Sequence, residues 1–254
     1  DRRTFERIVR DLVALGVEQV GLFHIGEPFT CEWLADAIRS AKALGIRYVF
    51  LTTNGVLATA DRVQACIDSG LDSLKFALNF VTPEQFSAAT GRDAALFARV
   101  LKNVRDAARV RDEVMERTGH RCRLSASSLE YSSATRAAMS NMIASVAQYV
   151  DEHYWLPLLG DMTLAPDEGR GAPRSSEARP KPAPCWSLFT EAHVAADGTL
   201  AACCLDASPR FAVGNVLDRG FLSAWHGDPF RSLRSAHLAG ALEGTPCERC
   251  IAYA

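Results

Sequence analysis

No stretch of this 254-residue chain approaches the run of about 18 apolar residues that a membrane-spanning helix needs, so a transmembrane reading has no support. No block of Lys or Arg stands out either. Twenty-eight basic side chains face 30 acidic ones, for a formal net charge of −2, which leaves no electrostatic footprint for nucleic acid or an anionic membrane. There is no Gly-x-Gly-x-x-Gly, no P-loop and no Gly-x-Ser-x-Gly, so dinucleotide dehydrogenase, NTPase and hydrolase readings find no foothold. With 48% hydrophobic and 23% charged residues, disorder, collagen and coiled coil are excluded as well. Length is not lacking: at about 150 residues per domain the chain makes roughly one and a half to two units. Its core is large enough to fold without staples.

Cysteine is plentiful. Eight cysteines are many for a chain whose expected location is cytoplasmic, and a secreted disulfide scaffold would be shorter and richer in loops. Metal or redox chemistry is the better expectation. Cys31, Cys66 and Cys122 are scattered through the first half. Cys185, Cys203, Cys204, Cys247 and Cys250 crowd into the last 70 residues, so a cofactor held by cysteine belongs at the C-terminal end.

The first half alternates helix and strand patterns. Phe5, Ile8, Val9, Leu12 and Val13 recur at helical spacing and stop at Gly16; a second helix stops at Gly45 and a third at Gly70. Between them lie the apolar runs Val20–Ile25 and Tyr48–Leu51, followed by the turns Gly26-Glu27-Pro28 and Thr53-Asn54-Gly55. The glycine stops are 29 and 25 residues apart, the size of a βα unit. Further strands are expected over Ser73–Leu78, Arg121–Leu129 and His153–Leu159. Thr82-Pro83-Glu84-Gln85 reads as a capped helix start. A charged helix follows over about Ala95–Arg117, and Met139, Met142, Ile143 and Val146 line another. Five visible strands, with a first strand expected upstream of helix one, imply a partial barrel or an open doubly wound sheet. The expected division is a barrel over residues 1–160, a Pro- and Gly-rich linker over 161–184, and a small domain over 185–254. In the last of these, Asp197-Gly198 turns a hairpin and a helix runs from about Leu222 to Leu238.

Twelve residues separate Cys185 from Gly198, and four separate Gly198 from Cys203; Pro246 precedes a Cys247-x2-Cys250 pair. Four thiolates from a hairpin and a terminal knuckle can surround one centre, and both structural zinc and an iron–sulfur cluster accept four cysteines. Only one pair is close, whereas a zinc ribbon has two, which tilts the reading toward iron–sulfur. Trp186 and Trp225 are expected in the core, and His193 and His226 in structural roles. His24, Glu130 and Arg123 stand at strand ends or edges, where packing and ligand contact are equally open.

This C-terminal stretch resembles the SPASM/Twitch module of radical S-adenosylmethionine (SAM) enzymes. Its pattern runs Cys185, Asp197-Gly198, Cys203-Cys204, Gly214-Asn215-Val216, Trp225-His226 and Pro246-Cys247-x2-Cys250. The short form of that module holds one auxiliary [4Fe–4S] cluster, which the resemblance assigns to Cys185, Cys203, Cys247 and Cys250. The first half agrees: radical SAM cores are six-stranded partial (β/α) barrels. The resemblance implies that Gly26, Glu27 and Pro28 bind the SAM amino group, and that Asn54 and Asn79 reach the cofactor from the ends of the next strands. Thr90-Gly91-Arg92-Asp93 also recurs in this family's fourth helix. The family's Cys-x3-Cys-x2-Cys is absent from the visible sequence. The expectation is that the SAM-binding cluster and its ligands lie upstream of Asp1, the alternative being a degenerate relative. Cys204 is either a packing thiol or a hydrogen-atom donor, as in radical SAM epimerases; dehydrogenases of the same architecture instead pass an electron to the auxiliary cluster. The expected activity is hydrogen abstraction from a sugar- or aminocyclitol-like natural product, followed by epimerisation or oxidation. The alternatives are a ribosomal-peptide maturase and a catalytically dead metal-binding module. The implied partners are a carbohydrate-like small molecule or a peptide, and an electron donor such as a flavodoxin or ferredoxin, with neither nucleic acid nor membrane.

Overall fold

The computed structural model describes residues 1–130, 133–157, 184–206 and 211–248. The expected linker over 161–184 falls almost wholly outside them, as does Cys250. Two compact units emerge, essentially Thr4–Leu158 and Leu159–Ala254.

In the first unit, helices α1 (Arg2–Ala14), α2 (Leu34–Leu44) and α3 (Ala60–Asp68) alternate with strands β1 (Gln19–Gly21), β2 (Tyr48–Thr53) and β3 (Ser73–Ala77). Then come α4 (Pro83–Thr90), α5 (Ala95–Thr118), β4 (Arg123–Glu130), α6 (Ser133–Val146) and β5 (Glu152–Pro157). The boundaries follow local chemistry. Gly45, at φ 114°, closes α2 with its N–H on the carbonyls of Ala41 and Lys42. At the start of α4, Gln85 N–H donates to Thr82 Oγ1 at 3.2 Å while Val81 N–H donates to Gln85 Oε1 at 2.7 Å, a reciprocal cap.

All five strands are parallel and stand in the order β1-β2-β3-β4-β5. A doubly wound sheet reverses its strand order at a switch point. This sheet does not reverse, which decides for the partial barrel. Burial alternates along β2 and β3. Val49, Leu51, Leu74 and Phe76 pack with Ile38, Val63, Ile67 and Val104 of the helices into one core. Thr52, Lys75 and Ala77 stand on the other face.

Strand β1 is shorter than the apolar run Val20–Ile25 suggests. A Cβ at Gly21 would sit 2.9 Å from the rings of both Phe23 and Phe50. Phe23 turns back over the glycine to meet Phe50 edge-on at 5.6 Å, and the chain leaves the ladder there.

The second unit contains α7 (Ser187–Thr190) and an antiparallel sheet of β6 (His193–Val194), β7 (Thr199–Ala201) and β8 (Ala212–Asn215). Three short helices follow: α8 (Val216–Arg219), α9 (Phe221–Trp225) and α10 (Asp228–Ala239). The hairpin turn at Gly198 has φ +83°, and an added Cβ would lie 2.5 Å from Leu217. The single helix expected over Leu222–Leu238 is two, because Gly227 separates α9 from α10 and Pro229 fits only the first turn of a new helix.

Trp186 corrects the expectation of a core residue: it is 75% exposed. Trp225 is packed, stacked on Phe221 at 5.8 Å and edge-on to Phe230 at 4.9 Å. The Arg234 guanidinium lies 4.1 Å from the Trp225 ring centroid.

Candidate functional site

The loops that leave the C-terminal ends of β1, β2 and β3 converge on one cavity of about 520 Å³, and Glu27, Asn54 and Asn79 all line it. Glu27 ties the first two loops together. Its Oε1 accepts hydrogen bonds from Phe29 N–H at 3.1 Å and Thr53 Oγ1–H at 2.7 Å. Its Oε2 accepts from Asn54 N–H at 2.8 Å. Pro28, buried, opens the short 3₁₀ turn Pro28–Thr30. Gly26 is exposed, and nothing lies within 4 Å of where its Cβ would be, so its backbone is open to a ligand.

Asn54 Oδ1 accepts from Val56 N–H at 3.0 Å, which shapes the next turn. Gly55 is required there: at φ +81°, a Cβ would come within 2.9 Å of Val100. Asn103, buried on α5, donates to the Gly55 carbonyl at 2.7 Å and locks the loop. Asn79 Oδ1 accepts from Leu129 N–H at 3.2 Å, so its side chain spans from the end of β3 to β4. All three strand ends are thus held by hydrogen bonds before any ligand arrives. Thr90 and Arg92 also line this cavity, a role that sequence reasoning did not give them. Their motif was visible, but its place against the cavity depends on how α4 packs.

The cysteine-rich end presents a second arrangement. Cys185, Cys203 and Cys247 are half-buried and Cys204 is exposed. Leu205 N–H donates to Cys203 Sγ at 3.3 Å, an interaction that favours a thiolate. Asp206, buried, accepts from Phe211 N–H at 2.9 Å and gives its own N–H to the Cys203 carbonyl at 3.3 Å, which fixes the turn after the Cys pair. Cys185 N–H donates to His237 Nδ1 at 3.3 Å, and Cys247 N–H to Thr245 Oγ1 at 3.2 Å. The Cys203–Cys204 thiol hydrogen bond lowers the Cys204 thiol to about 7 and raises that of Cys203. Among the described residues no three His, Cys, Asp or Glu side chains gather into a ready metal site. The donor set nevertheless fits an iron–sulfur cluster: three half-buried thiols, one of them accepting a backbone N–H, with the fourth expected ligand outside the described residues. Cys66 and Cys122 have no such role. Burial pushes the Cys66 thiol up to about 12 and holds Cys122 high as well, which makes both packing residues.

Residues 185–251 match the SPASM family, described as an iron–sulfur cluster-binding domain. Over 100 residues the chain is 35% identical to a probable GTP 3′,8-cyclase of Metallosphaera sedula; the match covers 39% of this chain and 30% of that protein. Among solved structures, BtrN in complex with AdoMet and 2-DOIA superposes with a TM-score of 0.58 at 15% identity, covering 99% of this chain and 80% of BtrN. Streptococcus suis SuiB bound to S-adenosylmethionine gives a TM-score of 0.55 at 16% identity, covering 92% of this chain and 60% of SuiB. No helix among the described residues is long and apolar enough to cross a membrane.

Proposed function

From a chain that joins the radical SAM fold to a C-terminal SPASM iron–sulfur domain, we propose an enzyme that binds SAM in the 520 Å³ cavity and abstracts a hydrogen atom from a small-molecule substrate. SAM and a [4Fe–4S] cluster in the full-length protein would supply a 5′-deoxyadenosyl radical, with the electron coming from a donor such as a flavodoxin or ferredoxin. The observation that carries the reading is the convergence of Glu27, Asn54 and Asn79 on one cavity. These residues come from three separate loops, and their order along the strands is the one the family resemblance calls for. In this reading the exposed Gly26 backbone receives the cofactor's amino group. Glu27 and Pro28 hold that turn in place, and Asn54 and Asn79 bound the adenosine end. Arg92 adds a positive charge to the rim, and Phe86 and Phe97 exclude water from the back of the cavity. Anaerobically reconstituted full-length protein, given SAM and dithionite, is expected to release 5′-deoxyadenosine. SAM bound but never cleaved would leave a catalytically dead module.

The substrate step we propose is epimerisation or oxidation of a carbon in a carbohydrate-like molecule, a reading supported by the likeness to a fold that holds AdoMet together with 2-DOIA. Cys185, Cys203, Cys247 and Cys250 would hold the auxiliary [4Fe–4S] cluster. Cys204 is exposed next to Cys203, which supports the donor reading over the packing one. As a donor it gives its S–H hydrogen to the substrate carbon radical. The resulting thiyl radical is returned to thiol by one electron from the donor protein and one proton from water.

Turnover in D2O then places one deuterium at the inverted carbon, because a thiol proton exchanges with solvent while a carbon-bound hydrogen does not. Cys204→Ala is expected to keep SAM cleavage and iron content while losing at least a hundredfold in epimerised product. A Cys204→Ala enzyme that still turns over, with product two hydrogens lighter than substrate, would mean oxidation instead.

A further inference from the structure

The sheet face turned away from the helices carries a row of polar side chains that the cavity loops do not use. In register across three neighbouring strands, Thr52 of β2 lies beside Lys75 of β3, and Lys75 beside Ser125 of β4. One pleat further along, Ala77 lies beside Ser127, and Ser127 beside Tyr154 of β5. Partners in a parallel register share a face, and so do residues two apart along a strand. Thr52, Lys75, Ser125, Ser127 and Tyr154 therefore project to one side, the side on which Ala77 lines the cavity.

The chemistry of this row is incomplete among the described residues. The Thr52 hydroxyl is buried and has no hydrogen-bond partner among the described residues. Ser125 and Ser127, at 5% and 2% exposure, make no side-chain hydrogen bond to any described residue. Lys75 is half-buried and meets no carboxylate among the described residues; its Nζ instead lies 5.7 Å from the centroid of the Tyr154 ring. The acid on this face, Glu152, in register with Ser125, is taken by Arg123 at 2.7 Å. Lys42, on the helix side, shows the usual outcome: its ammonium pairs with Asp72 at 2.9 Å. Buried polar groups are nearly always satisfied in folded proteins, and unsatisfied ones call for an explanation. Here the Thr52 hydroxyl is such a group, and beside it on adjacent strands stand two serine hydroxyls and an ammonium with no partner among the described residues, next to a cavity. A ligand that supplies the missing acceptors explains all four at once.

We propose that this row is the substrate-facing wall of the barrel, and that Lys75 receives an oxyanion, carboxylate or phosphate, of a hydroxyl-bearing small molecule. Thr52 and Ser125 flank the ammonium on both sides and complete the hydrogen bonding of that group. Ser127 and the Tyr154 ring extend the wall toward the cavity. The inference rests on the reading of the cavity as the reaction chamber, and it narrows the substrate class. A cationic molecule, a protonated aminocyclitol included, would have to bring its charge against an ammonium that no described carboxylate neutralises.

The test uses full-length protein and two probes, inorganic phosphate and acetate, titrated calorimetrically with and without SAM. One of the two is expected to bind in the millimolar range, and which one it is separates phosphate from carboxylate substrates. Lys75→Met should weaken that binding at least tenfold, Lys75→Arg should retain it within threefold, and Thr52→Val and Ser125→Ala should each weaken it severalfold. Without ligand, Lys75→Met should melt no lower than the parent protein, since it removes an uncompensated charge and keeps the length of the side chain. If that variant fails to fold, Lys75→Gln and Ser125→Ala carry the comparison. Binding of neither probe, or equal binding to the parent and Lys75→Met, overturns the proposal. So does one-for-one displacement of the anion by SAM, which would give Lys75 to the cofactor. SAM affinity is read in the same titrations. Its loss with anion binding intact strikes the reading of the cavity, whereas the reverse strikes the polar wall alone.

Discussion

Replacing Cys185, Cys203, Cys247 and Cys250 together with alanine is expected to remove about four irons and four sulfides per chain from reconstituted full-length protein, the content of one cubane cluster. The spacing of these residues around the Asp197-Gly198 hairpin requires the effect to be complete rather than partial. Cys66 and Cys122 are not available to compensate, because burial holds both in the thiol form within the core of the first unit. Cys204 stands beside Cys203 but is exposed, so Cys204→Ala alone should leave the iron content unchanged. Loss of the cluster should also loosen the second unit. Its described sheet has three strands of two to four residues, too little to stand without help, and binding of a metal centre contributes directly to folding in such small domains. Iron and sulfide assays, with the visible absorption of anaerobically purified protein, decide the matter. Unchanged iron in the quadruple variant would sink the ligand assignment, and zinc in place of iron would replace the cluster with a structural site.

What could be read from the chain before its structure follows from the range over which each signal acts. The βα alternation is local: glycine stops, capping residues and apolar periodicity each speak within one turn or one strand, and they located the five strands that the described residues of the first unit form. The unreversed strand order is not local, and only the registers between strands settle partial barrel against doubly wound sheet. Strand β8 escaped notice because Gly214 and Asn215 look like turn residues. In the fold Gly214 is needed because Ala224 packs against it, with an added Cβ only 3.0 Å from that side chain. Trp186 misled for the complementary reason. Its size predicts burial, but burial depends on partners, and Trp225 holds the aromatic and guanidinium partners instead. The loop motifs were legible as words but not as a mechanism. Nothing in Gly26-Glu27-Pro28 says that the carboxylate reaches 26 and 27 residues along the chain to Thr53 and Asn54. The Thr52–Lys75–Ser125 row is invisible for the same reason, since it exists only through register.

Glu27→Ala is expected to lower SAM affinity at least tenfold and the melting temperature by about 5–12 °C, the range that roughly 2–4 kcal/mol produces in a chain of this size. Three donors depend on the carboxylate: Phe29 N–H, Thr53 Oγ1–H and Asn54 N–H. Hydrogen bonds to a charged acceptor contribute about 1.5–3 kcal/mol each when sheltered, and the half-exposed position of Glu27 brings the sum toward the lower end. Stability and affinity are linked here because the same carboxylate holds both loops that border the cavity. Freed from it, the Gly26 turn and the Asn54 turn lose their common anchor, and a cofactor must order them at the expense of its own binding. Glu27→Gln separates the contributions. The amide oxygen can keep the bonds from Phe29 and Thr53, but the amide nitrogen then faces the Asn54 N–H donor to donor. That variant should recover most of the lost stability and little of the lost affinity. Asn54→Ala should weaken SAM binding with only a small change in melting temperature, since its side chain accepts a single exposed bond from Val56. Thermal melts and equilibrium SAM binding on the three variants test the scheme. Wild-type SAM affinity in Glu27→Ala would show that the two loops are not the cofactor's seat, whatever happened to stability.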